Sequence, residues 1–173
     1  MQIDLQSFSL SGVTILDLAG ADENMMTLYG WFCTADYFYI APNMNGKITR
    51  IDTKNFTTTG VTTLNLSEID PGIAGYVSAF TDRKYGYFLP SAIASGDFYL
   101  GTGKLARVDL SNFTPEGVTW LDLTRLDKNW NNFIDGMSDG KYLYLEPSYS
   151  SDPANPRNTS VVRISLDYAG WSK

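Results

Sequence analysis

The sequence predicts an all-β fold, and three observations carry that expectation. Its 173 residues include 11 Tyr, 9 Phe and 4 Trp beside 15 Gly and 7 Pro, a balance suited to pleated, half-buried strands closed by tight turns. Short runs such as Arg107-Val108-Asp109-Leu110 alternate polar and apolar residues, the period of two that a strand requires. One pattern also recurs along the chain. RVDLSNFTPEGVTWLDL at 107–123 returns as RIDTKNFTTTGVTTLNL at 50–66 and as IDLQSFSLSGVTILDL at 3–18, and RISLDYAGW at 163–171 is a shortened copy.

The repeat fixes the organisation. Gly12, Gly60 and Gly117 stand 48 and 57 residues apart, and Tyr39, Tyr87 and Tyr144 keep the same offsets, as do Pro42, Pro90 and Pro147 and Asp4, Asp52 and Asp109. The chain therefore reads as a single repeat domain over 1–173, with repeats at about 10–56, 57–113 and 114–173 and an extra fourth-strand copy at 1–9. Each repeat is expected to hold four strands: 13–18, 29–34, 37–41 and 47–52; then 61–66, 75–81, 85–89 and 104–110; then 118–123, 133–138, 142–146 and 160–166. Ser138-Asp139-Gly140-Lys141 suits a type I′ hairpin turn, so consecutive strands pair as a meander. Insertions at 91–103 and 148–159 lengthen the later repeats, and segments 21–27 and 125–131 have room for a helical turn. The stretch 107–123 is then the joint that carries the chain from one sheet into the next.

Composition removes several functions. No histidine is present, which excludes His-dependent triads and His-ligated zinc. The net charge of −6 comes without a basic cluster, so a nucleic-acid partner is not expected. MQIDLQSFSL lacks the order of a secretory signal and no 18 consecutive apolar residues occur, so the sequence reads as soluble, without membrane association, its compartment open. Cys33, between Phe32 and Thr34, reads as a small core residue.

The Arg-x-Asp motif at Arg50 and Arg107 places both charges on one strand face and suggests a charge ladder at a sheet edge. Tyr37 and Tyr39, Tyr85 and Tyr87, and Tyr142 and Tyr144 form aromatic stripes, read as packing between sheets. Aligned through Cys33, Phe80 and Met137, the second strands put Trp31, Ser78 and Asp135 in one slot. Three such different side chains on a shared scaffold mark a ligand-facing surface. Trp130 and Asn132 join them as candidate binding residues, with Trp120 a further exposed ring. Asp127 to Asp135 is rich in oxygen ligands without the spacing of an EF-hand, so no cofactor is assigned, calcium being the one candidate. No catalytic or metal-binding residue is assigned.

SDGKYLYLEP and VVRISLDYAGW resemble the turn and strand before the glycines, and the final strand, of Kelch-like β-propeller repeats, although prolines stand where Kelch has its double glycine. The resemblance implies propeller blades of four meandering strands, three per chain. A β-trefoil and a β-prism are the alternative threefold folds. Since single rings need four or more blades, the sequence further predicts a homodimer completing a six-bladed ring, or a piece of a longer array. The function expected is a non-enzymatic binding module for a carbohydrate or peptide. The alternative is a carbohydrate-active hydrolase or lyase using Asp135 with Asp139, or Glu146 with Tyr149.

Overall fold

The computed structural model describes the chain except residues 7–8, 24, 26–28, 43–45, 74, 91–92, 96–97, 101, 149–159 and 173, and the side chains of 93–95 and 98–100. The fold is all-β. Strands β1 (Gln2–Ile3) and β2 (Val13–Thr14) form an N-terminal ribbon. The first sheet is the meander β3 (Trp31–Cys33), β4 (Tyr37–Ile40), β5 (Lys47–Asp52) and β6 (Val61–Asn65). The second holds β7 (Tyr76–Thr81), β8 (Tyr85–Pro90), β11 (Lys104–Asp109) and β12 (Val118–Asp122). Its insertion carries a separate hairpin, β9 (Ile93–Ser95) with β10 (Phe98–Leu100). The third sheet has three strands, β13 (Phe133–Ser138), β14 (Tyr142–Pro147) and β15 (Val162–Ser165). Among the described residues no helix is long and apolar enough to cross a membrane.

The expected strands are present, but the sheets divide the chain one strand later than the repeats do. The stretch 107–123 is a hairpin inside the second sheet, with Val108 opposite Val118 and Lys104 opposite Asp122. Its turn chemistry reverses the chain at once. Asp109 Oδ1 accepts from Ser111 N at 2.9 Å, and a 3-10 turn, Pro115–Gly117, follows. Asp52 does the same for Lys54 N before Thr58–Gly60. The chain instead passes between sheets after β6 and β12, where Asn65 and Asp122 cap the 3-10 turns Leu66–Glu68 and Leu123–Arg125. Leu123–Arg125 reaches the start of the segment 125–131 where a helical turn was expected, and the 3-10 turn Leu18–Gly20 ends just before the other, 21–27; no such turn was expected at Leu66–Glu68.

Two cores lie between sheets. Phe32, Tyr39 and Ile48 of the first sheet meet Tyr76, Phe88 and Val108 of the second. Phe80, Tyr87 and Leu105 of the second meet Phe133, Leu143 and Leu145 with its neighbours of the third. In two of the three tyrosine stripes the inner ring is part of the packing between sheets: Tyr39 and Tyr87 are buried in the two cores, each stacked on its cross-strand phenylalanine, Phe32 at 4.7 Å and Phe80 at 5.2 Å, and Tyr39 also meets Phe113 of the second sheet's loop at 5.8 Å.

Three local expectations are corrected. Cys33 is exposed rather than in the core, because its neighbour Phe32 takes the inward face of the strand. The turn at 138–141 is not type I′: Gly140 alone has positive φ, +87°, and the Asp139 carboxylate closes the loop by accepting from Lys141 N and Tyr142 N. The Arg-x-Asp motif is no charge ladder. Its Asp residues cap turns, and its Arg residues lie on aromatic rings, as follows.

Candidate binding site

Strand register places the variable slot. Ser78 lies opposite Leu89 and Asp135 opposite Glu146; in the first sheet the matching contact, Ala41 N to the carbonyl of Gly30, is 2.8 Å long. Phe32, Phe80 and Met137 are the true counterparts, since they face Tyr39, Tyr87 and Tyr144. The slot therefore holds Gly30, Ser78 and Asp135, and Trp31 sits one residue along, opposite Ile40. Alignment through Cys33 slipped by one, which in a strand turns a side chain to the other face.

These three positions stack from sheet to sheet. A Cβ on Gly30 would lie 2.3 Å from Ser78 Cα, so only glycine admits the backbone of the second sheet this closely. Ser78 Oγ donates in turn to Asp135 Oδ1 at 3.0 Å, and Gly136 N donates to the same oxygen at 2.8 Å. Ser78 is buried while Asp135 is exposed. The result is a carboxylate on an exposed residue, held through one oxygen by two donors.

The other candidates do not gather there. Trp31 is 60% exposed and packs against Phe38 at 5.5 Å, on the side of the first sheet that faces the ribbon. Trp130 packs onto the second core, and Asn132, two residues on, is buried. Trp120 is half-buried against the first core. Asp139 spends both oxygens on its own turn, Oδ2 accepting from Tyr144 Oη at 2.8 Å, and backbone donors at Tyr142 and Lys141 hold its carboxyl below the usual range. Tyr149 lies outside the described residues. No group of three or more His, Cys, Asp or Glu side chains converges among the described residues.

A second constellation escaped the sequence reading. The Arg50 guanidinium lies between Tyr37 of its own sheet, 4.6 Å away, and Phe113 from the next sheet's β11–β12 loop, at 4.4 Å. Arg107 lies between Tyr85 at 4.5 Å and Trp171 at 4.2 Å, with Nε donating to Thr119 Oγ1 at 3.0 Å. Arg163 lies on Tyr142 at 4.5 Å. The shared spacing of Arg50 to Arg107 and Tyr37 to Tyr85 to Tyr142 was visible; pairing each Arg with its nearest Asp hid it. Trp171 does for Arg107 what Phe113 does for Arg50, which explains why the final copy ends in Trp.

Two kinds of cavity accompany these contacts. Adjoining clefts of about 460 and 520 Å³ lie between the first two sheets, where Asp36 and Arg83 line both. An apolar cavity of about 300 Å³ separates the ribbon from the first sheet, lined by Gln2, Leu16, Phe38, Ile40, Ile51 and Phe56 among others. A scan against protein-family models finds no match for the chain, and a search of curated proteins finds none either.

Proposed function

We propose that the protein is a non-enzymatic binding module of the β-propeller type, whose successive sheets act as blades and whose ligand meets the row at Gly30, Ser78 and Asp135. The observation that carries this reading is the anchored, exposed Asp135 carboxylate, fixed by Ser78 and Gly136. A pre-oriented acceptor loses little freedom on binding and discriminates by hydrogen-bond donors. A peptide bearing a basic or amide group fits this site better than a sugar, because Trp31 packs on Phe38 and Trp130 onto the second core, so neither ring is offered as a free stacking face. The test is a peptide library alongside a glycan array, followed by titration of any hit against Asp135→Asn and Ser78→Ala. Asp135→Asn is expected to weaken binding at least about tenfold, with Ser78→Ala intermediate. Equal binding by Asp135→Asn rejects the site.

A further inference from the structure

Among the described residues the ribbon repeats the pairing of a third with a fourth strand, and the third sheet shows no fourth strand. In the first two sheets the third strand pairs with a fourth over five residues, with Ile51 opposite Val61 and Val108 opposite Val118. In the ribbon β1 and β2 repeat that register over two pairs, Ile3 opposite Val13 and Gln2 opposite Thr14. Among the described residues β15 has β14 on one side and no strand on the other. Its register against Tyr144 makes Arg163 the counterpart of Arg107, hence Ile164 of Val108 and Val161 of Leu105.

The faces match as the edges do. Val161 and Met137, on the open side of the third sheet, are 69% and 60% exposed, whereas their counterparts Leu105 and Phe80 are buried. Arg163 has Tyr142 on one side and, among the described residues, no ring on the other. At the opposite end Phe56, the counterpart of the clamping Phe113, faces a cavity in which Gln2 occupies the arginine position. Among the described residues an arginine clamp thus shows one ring at one end, and at the other a ring faces Gln2 where its counterpart faces an arginine.

We infer that two copies of the chain associate head to tail by strand exchange. β15 of one copy displaces β1 of the second and pairs with β2, and Arg163 enters the 300 Å³ cavity beside the second copy's Phe56. Two backbone pairs are given up for the five seen in the complete sheets, so the exchange gains hydrogen bonds and buries the open apolar face. The contact is heterologous, and performed at both ends it closes two copies into one ring of six sheets.

Sedimentation velocity tests it. The expected species at tens of micromolar has twice the 19.2 kDa chain mass, and Arg163→Ala, at an exposed position, weakens association about tenfold without altering the circular dichroism spectrum. A complementary test mixes Arg163→Cys with Thr14→Cys, both in a Cys33→Ser background, and adds a short bismaleimide. Crosslinking is expected in the mixture and in neither variant alone. A monomer at every concentration, or no crosslink in the mixture, overturns the inference. Asp135→Asn leaves the mass unchanged, so loss of ligand binding and loss of association are separate results.

Discussion

The interface between the second and third sheets and the outer face of the third are built from the same repeat, yet they differ in what the residues are worth. Tyr87 is fully buried, stacked on Phe80, with its hydroxyl donating to Asp82 at 2.8 Å; burial pushes its pKa far above the usual phenol value. Tyr144 makes the same bond to Asp139 on an open face. Arg107 is clamped by two rings where Arg163, among the described residues, has one. A side chain of given type and register contributes to stability in proportion to what the following sheet lays over it.

Paired substitutions test that contrast, beginning with the tyrosines. Tyr87→Ala is expected to cost about 3–5 kcal/mol in chemical denaturation, and Tyr144→Ala less than about 1 kcal/mol in the monomer. Equal losses would remove the distinction. Gly30→Ala is expected to destabilise by about 2 kcal/mol, since the added carbon meets Ser78 backbone at 2.3 Å; a stable variant would show that the first two sheets are not in fixed contact. Arg107→Ala should cost about 1–2 kcal/mol and Arg163→Ala close to nothing below the association range.

The ion pairs sharpen the comparison under acid. Lys104 Nζ lies 2.6 Å from Asp70 Oδ2, both side chains largely covered, and the hydrogen bond from Lys104 holds the Asp70 carboxyl below its usual value. A carboxyl depressed in the folded state stabilises above its unfolded pKa, and this contribution fades as pH falls through the folded value. Asp70→Asn is therefore expected to lose up to about 1 kcal/mol at neutral pH and to converge with the parent chain below about pH 3. The smallest effect concerns the turns. Arg83 has φ +78°, where the equivalent Gly140 has +87°, so Arg83→Gly should leave stability unchanged or raise it by about 0.5 kcal/mol, while Gly140→Arg lowers it.

Much of this architecture was legible in the chain. Offsets of 48 and 57 residues located the strands, and the tyrosine stripes announced the inter-sheet cores, because hydrogen-bonded pairing and alternation are local rules that the residues obey one strand at a time. The candidate site was half legible: Ser78 and Asp135 do meet, at 3.0 Å, but Trp31 joined them only through a one-residue slip that the pleat does not forgive.

Sequence by itself determined the all-β class and the meander. Tertiary structure decided the rest: that 107–123 stays within one sheet, that Gly30 belongs in the slot, and that arginines lie on rings rather than beside aspartates. Those outcomes depend on which surface a neighbouring sheet presents, a relation between residues some 60 positions apart, as Arg50 is from Phe113, which no local pattern encodes.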